Sequence, residues 1–317
     1  MQDTIFIQIA SYRDPELVPT INDCLEKASN PDRLRFGICW QNCKEDDFDN
    51  LEAFKGDSRF RILDVDYKDS QGCCWARSNT QKLWDGEKYT LQIDSHMRFH
   101  PNWDKLMIDY LNKCDSEKPI LTSYPNGYEY DSSAALLTQP LIMKVTGFDD
   151  DCIPTLESEY LEKDWMLLKK PVPGGFLAAG FVFTYGKFCE ECLYDPNLYF
   201  NGEEITLAAR AFTYGYDIFH PHKNIIWHLY NTPKIEHRRV THWKDHSFAE
   251  KDKTSRERIR KLFGIRCERE DLGIYGFGKQ RTFEEYQEHA GIDIPNKKIL
   301  KKFEYSAPTI MEYLQSK

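Results

Sequence analysis

Thr4-Ile5-Phe6-Ile7-Gln8-Ile9-Ala10 is the stretch that decides the fold. It runs apolar more than it alternates, and a strand that is apolar on both faces belongs in a parallel sheet covered on both sides. Ser11-Tyr12-Arg13-Asp14-Pro15 then breaks the run, and beyond it Leu17, Ile21, Leu25 and Ala28 recur at helical spacing until Asn30-Pro31 stops the helix. Strand, loop and helix in that order open a β-loop-α unit.

The unit repeats along the chain. Leu34 to Trp40, Phe60 to Val65, Tyr89 to Ile93 and Pro119 to Tyr124 read as strands, while Thr80 to Trp84 and Trp103 to Leu111 lie in helices. This alternation predicts an α/β layer fold up to about residue 125. From Asn126 to Pro173 the pattern loosens around hairpin strands at Leu136 to Leu137 and Met143 to Val145, a region expected to shape a substrate cleft. Gly174, Gly175 and Gly180 flank a small-residue apolar segment, and Glu203 to Thr213 reads as a helix ended at Gly215. The chain turns polar and basic after Trp227, with helices near Ser255 to Phe263 and Phe283 to His289. There is no internal repeat, low-complexity tract or obvious linker. The reading is therefore a catalytic domain over 1–250 with a C-terminal helical extension over 251–317 packed on it.

Composition narrows the function. The chain has 317 residues, 41% hydrophobic, 14% aromatic and 29% charged, as in a folded globular protein with a sizeable core. Its 42 Lys+Arg against 51 Asp+Glu give a net charge of −9, which argues against a general nucleic-acid binder, because that role needs clustered cations on phosphates. The N-terminus lacks a basic n-region ahead of a long apolar stretch, and no window reaches the roughly 18 apolar residues of a transmembrane helix. With no export signal, the ten scattered cysteines read as free thiols. The expected location is cytoplasmic.

Four short segments could carry chemistry. Leu91-Gln92-Ile93-Asp94-Ser95-His96 places an Asp-x-His at the C-terminal end of a strand, where open α/β sheets bind ligands. Residues two apart on extended backbone point the same way, so Asp94 and His96 can share a divalent cation that neutralises a diphosphate leaving group. Taken alone, Asp94 could equally cap the loop with His96 on the surface. Ser11-Tyr12-Arg13-Asp14 offers a hydroxyl, an aromatic face and a guanidinium at the matching sheet edge, or else forms a turn with a surface ion pair. Gly72 to Asn79 opens the helix before the Asp94 strand, and it either brings Arg77 to the same edge or is no more than a helix start with a buried Trp75. Asn201-Gly202-Glu203-Glu204 starts another helix with paired carboxylates that either complement its dipole or face the cleft, one holding an acceptor hydroxyl and the other the donor sugar. His228, closing Ile225-Ile226-Trp227-His228, could be a third metal ligand or a satisfied core histidine. Cys189-x-x-Cys192 invites a zinc or redox reading, but no second Cys pair or spaced His pair accompanies it. The stretch His237, His242, His246 reads as a solvated face, with docking of an acidic acceptor as the alternative.

Six segments in order along the chain resemble the GT-A glycosyltransferase family of polypeptide (hydroxyproline) α-N-acetylglucosaminyltransferases. They are IQIASYRDPEL (7–17), GCCWAR (72–77), LQIDSHMRFHPNWD (91–104), LAAGFVFT (177–184), FNGEE (200–204) and YGFGKQRTFEEY (275–286). The chain is similar, more distantly, to the polypeptide GalNAc-transferases. The resemblance implies a Rossmann-like central mixed sheet flanked by helices, UDP-GlcNAc as donor, Mn²⁺ (or Mg²⁺) as cofactor and retention of the α configuration. It implies Asp94, His96 and His228 as metal ligands, and Ser11, Tyr12, Arg13 and Arg77 on the nucleotide. Asp94, Ala179 and Gly180 would face the donor, and Glu203 and Glu204 would be catalytic, orienting donor and acceptor. The acceptor would be a hydroxyl on a protein side chain or a glycan. Two departures stand out: Cys73 where a G-P-C-W-A-R type motif has Pro, and Asn231 where an H-x-Y-x-R type pattern has Arg. The competing readings are a non-catalytic nucleotide-sugar or glycan-binding module that kept the fold, and a Cys-based zinc or redox protein.

Overall fold

The computed structural model describes residues 3–48, 50–129, 138–162, 164–231, 239–302 and 310–315. The first elements are β1 (Ile5–Tyr12), α1 (Leu17–Lys27), β2 (Leu34–Asn42), β3 (Phe60–Asp66), α2 (Cys73–Gln81), β4 (Tyr89–Ile93), β5 (Met97–Phe99), α3 (Trp103–Asn112) and β6 (Pro119–Thr122). They are followed by β7 (Asn126–Gly127), β8 (Leu141–Phe148), β9 (Pro154–Tyr160), β10 (Val172–Gly174), β11 (Phe181–Tyr185), α4 (Phe188–Glu191), α5 (Glu203–Thr213), β12 (Asp217–His220), β13 (Ile226–His228), α6 (His242–Asp245), α7 (Ala249–Phe263) and α8 (Phe283–Ala290).

An eight-stranded mixed sheet runs β10-β12-β6-β11-β4-β1-β2-β3. Its β3, β2, β1 and β4 members are parallel, as the apolar run at residues 4–10 requires, while β11 is antiparallel to both β4 and β6. The chain goes from β1 outward to β3 and then returns through α2 to β4 on the other side of β1. That reversal opens a crevice at the C-terminal ends of β1 and β4. A three-stranded sheet, β5-β13-β7, and the β8–β9 hairpin border the crevice.

Both faces of the large sheet are buried. Neighbouring residues on single strands point into different cores: Leu121, Phe181 and Phe219 into one with Ile7, Ile9 and α1, and Ile120, Val182 and Ile218 into the other with α5, α7 and α8. Ile259, Leu262 and Phe263 of α7 and Phe283 and Tyr286 of α8 thus share a core with the sheet, and a division after residue 250 cuts the first turn of α7.

Local boundaries differ from the sequence expectations in instructive ways. The helix expected at Thr80 to Trp84 ends at Gln81, and Leu83 and Trp84 lie in the turn after it. The strand expected to reach Tyr124 stops at Thr122, which frees Ser123 and Tyr124 to leave the sheet toward the crevice. Met143 to Val145 belongs to a longer hairpin strand, and Leu136 to Leu137 falls outside the described residues. No helix among the described residues is long and apolar enough to cross a membrane.

Candidate active site

Asp94 is the first residue past β4, and the turn it starts leads directly into β5. Because β13 pairs with β5 so that His228 faces Met97, His228 arrives beside His96 although 132 positions separate them. The Nε2 atoms of the two histidines lie 2.9 Å apart, and Asp94 Oδ2 is 3.2 Å from His228 Nε2. One donor atom from each of Asp94, His96 and His228 lies within 4.8 Å of the others.

The surroundings hold these atoms in register. Arg77, from α2, donates through Nη2 to Asp94 Oδ1 (2.7 Å) and through Nη1 to the Ala179 carbonyl, leaving Oδ2 for the histidines. Burial pushes the Asp94 carboxyl up, but Arg77 and the two imidazoles outweigh it and hold the group well below the usual carboxylate range. Burial, and then the charge of His96, pull the His228 imidazole down to about 4, so it stands neutral at neutral pH with a lone pair to give. On the other side of Asp94 lies Gly180, where an added Cβ would come 2.5 Å from Oδ2; a side chain there would displace the carboxylate. Asp14, buried, has its Oδ2 2.7 Å from His96 Nδ1, on the side of the ring away from the centre. Two imidazole nitrogens and a carboxylate oxygen converging in this way fit a divalent transition metal, with coordination positions left over for a ligand.

The second half of the site is the start of α5. Gly202 reaches φ +80°, and a Cβ on it would be 2.4 Å from Ile259 Cδ1; this tight entry sets Glu203 and Glu204 on the first turn. Glu203 turns to α2, its Oε1 3.2 Å from Arg77 Nε without hydrogen-bond alignment and its Oε2 3.9 Å from Cys73 Sγ. Glu204 accepts from the Tyr124 hydroxyl and, at 2.9 Å, from the Ala179 N–H. Burial raises both carboxyls and takes Glu204 up to about 7, even though Tyr124 and Ala179 favour its charged form.

Both groups face one cavity of about 550 Å³. Tyr12, Arg77, Asp94, His96, Ala179, Gly180, Glu203, Glu204 and His228 all line it, as do Cys73 and Asn231. Two expected residues do not. β1 continues to Tyr12, so alternation turns Ser11 into the protein, where its hydroxyl is fully buried without a hydrogen-bond partner. Arg13 is taken up by Asp46 and Asp245, at 2.7 Å and 2.9 Å, and lies over the Tyr67 ring. Arg77 reaches the cavity with Nη2 on Asp94, Nη1 on the Ala179 carbonyl and Nε on Cys73 Sγ at 3.2 Å, and its charge lies beside the Asp94 and Glu203 carboxylates. Sequence reasoning missed Asp14, Tyr124 and Tyr199 as members of the site. Asp14 was visible as the acid of Ser-Tyr-Arg-Asp, whereas Tyr124 and Tyr199 carried no signal beyond residue type. His242 is not part of a solvated face: it lines the cavity, stacks on His246 with ring centroids 4.1 Å apart and hydrogen-bonds Tyr199 at 2.7 Å, while His237 lies outside the described residues. Cys189 and Cys192 are both buried, and the metal-competent group among the described residues contains no cysteine.

The chain spans half the length of GalNAc-T7, whose crystal structure contains UDP, GalNAc and Mn²⁺; the two superpose with a TM-score of 0.57 at 14% identity over 90% of this chain and 50% of that one. Residues 1–349 of S. aureus TarS superpose with a TM-score of 0.46 at 11% identity, over 71% of this chain and 60% of that one. The same TarS fragment in complex with UDP-GlcNAc gives 0.45 at 10% identity, over 83% and 73%. The likeness to GalNAc-T7 concerns the fold, which is that of the GT-A glycosyltransferases. A comparison with curated protein sequences finds no match. The profile of the family "Glycosyltransferase (GlcNAc)" matches residues 4–58 and 47–296, nearly the whole chain, and the chain belongs to this family of GlcNAc glycosyltransferases.

Proposed function

We propose that the chain is a metal-dependent retaining transferase that moves GlcNAc from UDP-GlcNAc to a hydroxyl acceptor, a protein side chain or a glycan, in the manner of the hydroxyproline α-GlcNAc-transferases it resembles. The observation that carries this reading is the meeting, in one cavity of a GlcNAc glycosyltransferase chain, of Asp94, His96 and His228 with the buried pair Glu203 and Glu204. The three ligands would hold Mn²⁺ (or Mg²⁺), which when bound stabilises the negative charge of the departing diphosphate. The mixed nitrogen and oxygen donor set suits a transition metal better than Mg²⁺, which favours oxygen.

The remaining roles belong to the protein. Arg77 keeps Asp94 ionised and aimed. Gly180 and Ala179 leave the space against Asp94 that the donor sugar needs, and Tyr12 flanks the nucleotide. Glu203 and Glu204 orient hydroxyls of donor and acceptor, with Tyr124 fixing Glu204. In a front-face reaction with retention, the bond from the anomeric carbon to the diphosphate breaks as the bond to the acceptor oxygen forms on the same face. The acceptor proton passes to the leaving phosphate oxygen, so no enzyme base is needed. Cys73 and Asn231, the two departures from the family pattern, both face the cavity and are the positions at which acceptor choice would differ. Residues 1–250 would carry the transfer, and 251–317 would buttress α5 from behind.

The test is UDP release by the purified chain from a panel of UDP-sugars, with Mn²⁺ or EDTA, beside Asp94→Ala. Mn²⁺-dependent release from UDP-GlcNAc that Asp94→Ala abolishes is expected. Release unaffected by EDTA and by Asp94→Ala would overturn the metal reading. UDP and Mn²⁺ binding without release across a broad acceptor panel would favour a module that only binds.

A further inference from the structure

The two histidines of the cluster are not held alike. His228 Nδ1 is buried and has no hydrogen-bond partner; its ring is set by backbone pairing of β13 with β5 and by Tyr230, whose ring centroid is 4.2 Å away. His96 Nδ1, in contrast, lies 2.7 Å from Asp14 Oδ2. Asp14 is 3% exposed, and each of its oxygens is engaged: Oδ2 also accepts from Ser95 Oγ at 2.7 Å, and Oδ1 accepts from the Glu16 N–H at 2.9 Å. A carboxylate that accepts on both oxygens cannot swing away without breaking a bond at α1. The turn it grips is clamped from the same helix, where Thr20 Oγ1 donates to the Ser95 carbonyl at 2.8 Å and accepts from the Met97 N–H at 2.9 Å.

We propose that Asp14 is the positioning residue of the metal site, fixing the tautomer and angle of His96 so that Nε2 presents its lone pair to the cation, whereas the Nδ1 of His228 has no such partner. This rests on the metal reading above. A carboxylate behind a ligating imidazole fixes the ring tautomer and raises its basicity, and losing such a partner costs roughly 10–100-fold in metal affinity. Asp14→Asn separates this role from simple space-filling. Its amide has one oxygen, so it cannot accept from both His96 Nδ1–H and the Glu16 N–H, and its NH₂ must face one of them.

Two measurements test the proposal. In the metal-free wild-type chain, two-bond ¹H–¹⁵N correlation should show His96 as the Nδ1–H tautomer, and this needs no variant to fold. Mn²⁺ titration followed by electron paramagnetic resonance, with UDP present, should give Asp14→Asn about 10–100-fold weaker binding than wild type and Ser95→Ala about threefold or less. A wild-type chain that binds no Mn²⁺ would sink the metal reading and this proposal together. Wild-type binding that Asp14→Asn leaves within twofold, or a His96 found protonated on Nε2, would overturn the proposal alone.

Discussion

The two ends of the cavity hold their carboxylates in opposite states. At the β4 end, Arg77 reaches Asp94 at 2.7 Å and keeps the carboxylate charged against the cost of burial. At the α5 end, burial prevails and Glu204 is pushed up to about 7, with a phenol and one N–H for company. The contrast follows from where the buried Arg77 guanidinium points. Fixed negative charge is placed beside the imidazoles, where a cation would be held, and a carboxyl able to donate or accept a hydrogen bond is placed where sugar hydroxyls would lie.

Removing the guanidinium is the most direct way to break this contrast. Arg77→Met leaves the partly buried Asp94 and the buried Glu203 without their shared cation, and we expect a loss of about 3 kcal/mol in denaturant unfolding. Equal stability would mean that the carboxylates are solvated in the free protein. Next in size, Asp94→Asn should lower kcat/KM for UDP release by about 10²–10³-fold with circular dichroism unchanged, against about tenfold for Glu204→Gln. The reverse order would shift the main catalytic contribution to the α5 end.

The pH dependence of stability sharpens the difference. Glu204 titrates at about 7 in the folded chain against an ordinary 4.5, so the native state binds more protons between those values. Its contribution to stability is fully present below the unfolded value and is lost as pH rises through about 7, on the order of 3 kcal/mol in all. Glu204→Gln should flatten that slope in urea titrations from pH 4.5 to 7.5, and an unchanged slope would place the proton elsewhere. The smallest effect is expected far from the cavity. Lys113→Ala breaks an exposed pair with Asp109 and should cost no more than about 0.5 kcal/mol, with UDP release unchanged.

How much of this was legible in the sequence varies along the chain for physical reasons. The parallel strands declared themselves because burial on both faces forces continuous apolar runs, and Asp94 with His96 followed from the two-residue repeat at a strand end. His228 could be suspected but not placed, since its position depends on the pairing of β13 with β5. Ser11 does not line the cavity because β1 continues through it to Tyr12 and strand alternation turns its side chain inward. Arg13 does not line the cavity because its partners, Asp46 in a distant loop and Asp245 at the end of α6, are brought to it by no local pattern. His242 was read as solvent-facing because a polar, basic segment does not reveal that it folds back over Tyr199.

The most direct test of the central claim is the anomalous difference map of crystals grown with UDP and Mn²⁺. A single strong peak is expected, within bonding distance of the Asp94 carboxylate and of the Nε2 atoms of His96 and His228. A manganese ion bound elsewhere, or UDP bound with no metal at this cluster, would contradict it.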